Sequence, residues 1–102
     1  MLLKKLNKKG QISIPKKIQQ QLKIKDGDSL AIFQQKELII LKSQHPNQRL
    51  NQCILSGGRI SIPAELRRIL NIHTESDFVM EVSVPDEMIL LKQNFRKIKE
   101  AD

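Results

Sequence analysis

The side chains with the clearest chemical potential in this sequence are cationic. Six lysines in the first 17 residues precede the first acidic residue, Asp26: Lys4, Lys5, Lys8, Lys9, Lys16 and Lys17. A later segment carries arginines instead: Arg59, Arg67 and Arg68. An ammonium group holds phosphate as a point charge, whereas a guanidinium is a planar fork that fits guanine edges or phosphate oxygens. These residue types predict binding of an anionic partner, with a merely well-solvated basic surface as the alternative.

The charge is distributed unevenly along the chain. The net charge is +7, and residues 1–48 supply all of it, with ten lysines against Asp26, Asp28 and Glu37. Residues 49–102 hold eight basic and eight acidic side chains. Nucleic acid is the commonest acidic partner of a small basic protein. We expect the cations at one end of the fold and these carboxylates in a hairpin region: Glu75, Asp77, Glu81, Asp86 and Glu87.

Other kinds of site have little support. His45 and His73 lack the close spacing of zinc ligands, and Ser13 and Ser61 recur without a histidine that would activate a nucleophile. Neither phosphate-binding glycine motif, GxxxxGK or GxGxxG, occurs. The single cysteine, Cys53, is expected to be a small buried or half-buried side chain. The sequence therefore predicts no metal, no cofactor and no enzyme activity.

The chain is expected to be cytoplasmic, in association with the nucleoid. One cysteine allows no internal disulfide, which suits a reducing compartment. The segment 1–10 is too interrupted by lysines for a signal peptide. The longest apolar run, Leu38–Leu41, is far shorter than the roughly 18 residues of a membrane helix. No membrane partner is expected.

A repeat indicates which elements position the cations. GQISIP at Gly10–Pro15 returns as GRISIP at Gly58–Pro63, 48 residues later. The match continues with Leu22 on Leu70 and, in residue type, to Ile32 on Met80. After a two-residue insertion, ELIILK at Glu37–Lys42 meets EMILLK at Glu87–Lys92. On the same spacing Leu2 and Leu6 fall on Leu50 and Ile54. Internal periodicity of this kind predicts two copies of one structural unit.

The sequence of each copy predicts the element order β-α-β-β. The alternation in QISIP predicts a short strand, and Pro15 and Pro63 suit the first turn of a helix. The first helix has Ile18 and Leu22 on its apolar face. The second has Leu66, Ile69 and Leu70 there, with Arg67 and Arg68 on the wet face. The segments predicted as further strands are SLAIF, LIIL, FVMEV and MILL.

One copy is too small to bury its own Ile and Leu side chains, whereas two copies can close a β-barrel that leaves no sheet edge exposed. We therefore expect a first repeat at 1–43, a linker at 44–49, a second repeat at 50–93 and a short C-terminal tail at 94–102. Both repeats are expected to form one body. Pairing within the chain is favoured, and pairing between chains is left open.

The run KKGQISIPKKIQQQLKIKDGDSLAIF followed by ELIILK resembles the AbrB/MazE/SpoVT family of swapped-hairpin barrels. The shared features are GxxxIP, LxI, Gly-Asp and an aliphatic closing strand, in that order. The resemblance implies a mainly β fold with short helices, in which two units interlock their hairpins. It also implies a transcriptional regulator or antitoxin rather than an enzyme.

The resemblance implies that the loops and helix N-termini at one end of the barrel bind double-stranded DNA. Arg59, Arg67 and Arg68 match family arginines that contact DNA, and the lysines at 4, 5, 8 and 9 match a basic stretch before the glycine. The first copy has Gln11, Gln19 and Gln20 in place of the arginines, and these side chains are candidates for reading adenine. The candidate DNA-binding residues are Lys4, Lys5, Lys8, Lys9, Gln11, Lys16, Lys17, Arg59, Arg67 and Arg68.

Three alternatives accompany the regulator hypothesis. An antitoxin would bind its own operator and neutralise a protein toxin, but the short tail offers little to wrap a toxin with. The two-copy MraZ proteins carry an Asp-x-x-x-Arg signature that reads Asn7 and Gln11 here. A barrel acting only as an oligomeric scaffold would not bind DNA. A homo-oligomer is compatible with the regulator hypothesis.

Overall fold

The computed structural model describes residues 2–43, 51–73 and 75–94. The predicted linker, Leu50, His45 and nearly all of the predicted tail lie outside them. The described residues form eight strands and two short helices, so the mainly β prediction is confirmed. In chain order the elements are β1 Leu2–Lys5, β2 Gln11–Ser13, α1 Lys16–Leu22, β3 Ser29–Gln35, β4 Leu38–Lys42, β5 Asn51–Ile54, β6 Arg59–Ser61, α2 Ala64–Ile69, β7 Asp77–Ser83 and β8 Met88–Gln93.

The strands form one large sheet and one small ribbon, both antiparallel. Six strands pair in the order β1-β7-β8-β4-β3-β5, while β2 and β6 pair only with each other among the described strands. By backbone pairing the large sheet is open, with β1 and β5 at its edges. The predicted closed barrel therefore stays a prediction.

The two halves of the chain are interleaved in the large sheet. Strand β1 pairs with β7, and β5 pairs with β3. Residues that match in the sequence repeat face each other where the halves meet: Ile12 lies opposite Ile60, and Ile40 opposite Leu90. The strand pairings of one half thus recur in the other: β3 pairs with β4 and β5, and β7 pairs with β8 and β1.

Both helices are short, with seven residues in α1 and six in α2. Pro15 and Pro63 sit at the N-cap positions, just before the first turn in which they were predicted. Helix α1 ends at Leu22, and the C-cap residue Lys23 has a left-handed φ of 58°. In α2 only Leu66 is fully buried, whereas the predicted core residue Ile69 is 53% exposed. The α2 apolar face is therefore narrower than predicted.

The core is mostly aliphatic, with Phe78 as a buried aromatic residue, and both halves contribute to it. Leu6 and Leu55 are both completely buried, while Ile54 is 55% exposed. The expected match of Leu6 with Ile54 is therefore wrong, because β5 is displaced by one residue relative to β1. A shift of one residue turns every side chain of a strand to the opposite face. The loop after β5 is accordingly one residue shorter than the loop after β1.

Cys53 lies on β5 and is buried, as predicted. Burial in apolar surroundings disfavours the thiolate and raises the pKa of the Cys53 thiol from 9.0 to about 12. Among the described residues, no helix is long and apolar enough to span a membrane.

Candidate nucleic-acid interface

The β2–β6 ribbon brings the loop of each half against the helix of the other. Beyond the paired strands, the amide of Ile14 donates to the carbonyl of Gly58 at 2.8 Å. In the same way the amide of Ile62 donates to the carbonyl of Gly10 at 3.0 Å. Since Ile14 leads into α1 and Ile62 into α2, each glycine loop packs beside the start of the opposite helix. This crossing builds two cationic surfaces.

The first surface, here the lysine-loop half, comprises Lys8, Lys9 and Gly10 together with α2. Asn7 fixes the loop, because its Oδ1 accepts hydrogen bonds from the amides of Lys9 and Gln11, each at 2.9 Å. Its Nδ2 donates to Oε1 of Gln11 at 3.1 Å. Lys8 and Lys9 are exposed. The loop is thus ordered from within while its two ammonium groups face solvent.

Arg67 lies against this loop and has a structural role. Its Nε donates to the carbonyl of Ile62 at 3.0 Å, and the side chain is partly buried. Gly10 has a φ of +78°, and a Cβ at this position would lie 3.0 Å from Cζ of Arg67. The guanidinium therefore packs against the backbone of Gly10. The prediction that Arg67 lies on a fully solvent-exposed helix face is wrong. Arg68, one residue on, is exposed as expected.

Gln19 makes the equivalent contact in the other half. Its Nε2 donates to the carbonyl of Ile14 at 2.7 Å, and the residue is 5% exposed. This geometry contradicts the expectation that Gln19 reads adenine, because its amide is buried and already engaged. Gln20 is exposed, and Gln11 is partly exposed with its side chain bound to Asn7.

The second surface, here the glycine-loop half, comprises Gly57, Gly58 and Arg59 together with α1. Arg59 lies on β6 opposite Ser13 and is exposed. Lys16 and Lys17 are exposed in the first turn of α1, which contains no acidic residue. Lysines at this position add to the positive end of the helix dipole, so the local potential is positive.

Asp26 is a residue of this surface that the sequence reasoning missed. Its carboxylate accepts the amide hydrogens of Gly57 at 2.9 Å and Gly58 at 3.2 Å. Asp26 belongs to the turn between α1 and β3, so it ties the first half of the chain to the loop that carries Arg59. The Asp-Gly pair at 26–27 indicated only a turn, because the two partner amides are some thirty residues away.

The arginines predicted as one group are divided between the two surfaces. Arg59 belongs with Lys16 and Lys17, whereas Arg67 and Arg68 belong with the lysine loop. The carboxylates are also less segregated than expected. Glu75 donates its amide to the carbonyl of Leu6, and Glu65 lies in the first turn of α2.

Lys4 and Lys5 lie on the edge strand β1, away from the loop tips. Nζ of Lys5 is 3.7 Å from Oδ1 of Asp77, so its charge is partly compensated. Lys4 is opposite Phe78 in the sheet and only partly exposed. Both remain candidates for contacts at the periphery. Within the described residues, no cluster of three or more His, Cys, Asp or Glu side chains is arranged to hold a metal.

These features define a small β protein with two cationic surfaces beside a two-stranded ribbon. Residues 3–49 match the family described as antidote-toxin recognition MazE, bacterial antitoxin. That family is part of the AbrB/MazE superfamily of swapped-hairpin proteins, which the sequence motifs predicted; the match does not extend into the second half. No curated protein and no solved structure matches the chain.

Proposed function

We propose that the protein is a non-enzymatic, double-stranded DNA-binding regulator that acts on promoter or operator DNA. The observation that carries this proposal is the crossed arrangement at the ribbon, where each loop packs beside the opposite helix start. Lys8, Lys9, Lys16, Lys17, Arg59 and Arg68 are all exposed around this crossing. A multivalent anion such as the DNA backbone suits such a surface.

The cations have different roles in this proposal. Lys8, Lys9, Lys16 and Lys17 are exposed and hold phosphates, which supplies affinity without sequence preference. Arg59 and Arg68 read base edges or grip phosphate in a fixed register. Arg67 and Gln19 position the loops through their bonds to Ile62 and Ile14.

We propose that the chain contains both halves of a swapped-hairpin unit, with repeats at 1–43 and 50–93 joined by a linker at 44–49 and followed by a tail at 94–102. The interleaved pairing of β1 with β7 and of β5 with β3 supports this division. In this proposal the ribbon and the large sheet together form the barrel. The protein acts in the cytoplasm at the nucleoid, and it can assemble further into homo-oligomers.

The alternative function is that of an antitoxin, and the family match at residues 3–49 favours it. Such a protein would bind its own operator and also neutralise a toxin protein. Expression of a small toxin protein of the kind that this family neutralises, with and without this chain, tests it. Rescue of growth together with co-purification of the small protein supports the antitoxin function, and failure of both opposes it.

The experiment for the main proposal is duplex binding across a salt series. The logarithm of the binding constant should fall linearly with the logarithm of the salt concentration, with a slope near −0.9 for each phosphate contacted. Changing Lys8 and Lys9 together to Gln should reduce that slope, because two contacts are lost. Lys92→Gln is the matched control, since Lys92 is an exposed lysine on β8 away from the ribbon. Absence of duplex binding at low salt refutes the proposal.

Arg59→Ala tests the reading of bases. We expect it to reduce discrimination between a selected site and random DNA by about 1–3 kcal/mol, because a bidentate contact to a base is lost. Competition binding with both duplexes measures the difference. An equal loss of affinity on both duplexes makes Arg59 a phosphate contact instead.

A further inference from the structure

We infer that the DNA site read by one chain lacks two-fold symmetry, so that the protein binds two unlike half-sites in one fixed orientation. This inference rests on the proposed function and deepens it by stating the symmetry of the ligand. It follows from a near-symmetric backbone that presents asymmetric side chains.

The backbone around the ribbon is close to two-fold symmetric. Ile12 faces its repeat equivalent Ile60, and the flanking bonds from Ile14 to Gly58 and from Ile62 to Gly10 are 2.8 and 3.0 Å. In proteins with two identical surfaces related by a two-fold axis, the DNA site mirrors that symmetry. The backbone here sets two half-sites in opposite orientations, and the side chains set what each half-site must contain.

The residue that begins each ribbon strand differs between the halves. Arg59 in the glycine-loop half is exposed. Its equivalent, Gln11, is partly buried and accepts a hydrogen bond from Asn7 at 3.1 Å. An arginine fork fits O6 and N7 of guanine, whereas a glutamine amide fits N6 and N7 of adenine. Equivalent positions on the two half-sites therefore meet groups with different preferences.

The helix starts differ in charge. Lys16 and Lys17 open α1, and the equivalent positions of α2 hold Ala64 and Glu65. The carboxylate of Glu65 repels phosphate at the point where Lys17 attracts it. The backbone contacts to DNA are thus unequal at the two helix starts.

The loops also differ in length and in what holds them. The amide of Asn7 reaches the carbonyl of Gln11 across three residues at 2.8 Å, while the amide of Ser56 reaches that of Arg59 across two at 2.9 Å. The longer loop carries two lysines and is fixed by the side chain of Asn7. The shorter loop is two glycines tied to Asp26. No equivalent of the lysine pair exists on the glycine loop.

The test is selection of bound duplexes from a random pool with the full chain, followed by competition among three designed duplexes. One duplex is the selected site, and the other two are palindromes made by duplicating its left or its right half. Sedimentation of each complex fixes the number of chains bound. We expect one chain to cover an asymmetric site and to prefer it over at least one palindrome by roughly tenfold or more.

Two variants test which half-site of the DNA each surface of the protein contacts. Arg59→Gln should shift the base preference from guanine towards adenine in one half-site only, because it gives the glycine-loop half the residue present at position 11. Changing Lys8 and Lys9 to Gln should lower affinity and leave both base preferences intact. Lys92→Gln should behave as wild type in both respects.

The outcomes separate this inference from the proposed function. No binding of any duplex at low salt refutes both. Binding with no sequence preference, or a palindromic consensus within the stretch covered by one chain, overturns the inference and leaves DNA binding standing. An asymmetric consensus whose one half changes in Arg59→Gln supports it.

Discussion

Equivalent residues of the two halves perform one structural task with different chemistry. Gln19 and Arg67 each donate to the carbonyl at the end of a ribbon strand, on Ile14 and Ile62 respectively. The glutamine is almost fully buried, while the arginine is partly exposed beside the lysine loop. The side chain that makes this contact is therefore charged and partly exposed only beside the lysine loop, where it is Arg67.

Gln19→Ala should destabilise the protein by about 1–3 kcal/mol, because the carbonyl of Ile14 then loses its buried donor. Urea unfolding measures the change. Gln20→Ala is the matched control, since Gln20 is the exposed neighbour on the same helix and should change stability by less than about 0.5 kcal/mol. Equal stability of the two variants would contradict the role assigned to Gln19.

Cys53 should react with a thiol reagent only when the protein unfolds. Its pKa is raised to about 12 by burial, so almost no thiolate exists in the native state near neutral pH. The folded state keeps this proton between pH 9 and 12 while the unfolded state loses it, so stability should fall as pH rises through that range. Reaction with Ellman's reagent, with and without denaturant, measures the reactivity of the Cys53 thiol in the folded and unfolded states. Rapid reaction of the native protein would contradict the burial.

Residue types were easier to predict than residue partners. The sequence is sufficient to locate the exposed cations, because lysines outside an apolar pattern face water. It could not reveal that Gln19 is buried or that Asp26 holds Gly57 and Gly58, because both contacts depend on how the two halves cross.

At the scale of the elements, the tight crossing of loop and helix depends on glycine. Gly10 and Gly27 both have positive φ, at 78° and 96°. A side chain at Gly10 would meet the guanidinium of Arg67 at 3.0 Å, whereas one at Gly27 would meet no atom within 4 Å. The two glycines therefore separate the cost of backbone strain from the cost of crowding.

Gly27→Ala should cost about 1–2 kcal/mol from the left-handed backbone alone. Gly10→Ala should cost more, because the guanidinium of Arg67 must also move by a few tenths of an ångström to make room for the methyl group. Thermal or urea unfolding of both variants gives the difference. A loss in Gly27→Ala that equals or exceeds the loss in Gly10→Ala would contradict the packing described for Arg67.

The element types and order could be predicted because alternation, prolines and turn residues are local signals. The displacement of β5 by one residue could not, since Ile54 and Leu55 are both apolar and either one suits the core. Ile69 was misjudged for a related reason. Its spacing from Leu66 fits a helix face, but Ile69 is exposed at the last position of α2, and Leu70 packs against the core instead.

At the scale of the whole molecule, each half supplies what the other lacks. The first half gives the edge strand for β7 and the second gives it for β3. Each cationic surface likewise combines a loop from one half with a helix from the other. A single repeat would contain neither surface, so the chain needs both copies to present its cations together.

The most direct test of this account is to follow backbone amide resonances while the isotope-labelled chain is titrated with duplex DNA. We expect the largest shifts in the two loops and helix starts, at residues 8–11, 16–17, 57–59 and 67–68. The hairpin turns at 36–37 and 84–87 should change little. Shifts concentrated at those turns, or spread evenly over the sheet, would contradict the claim that the crossed loops form the DNA-binding surface.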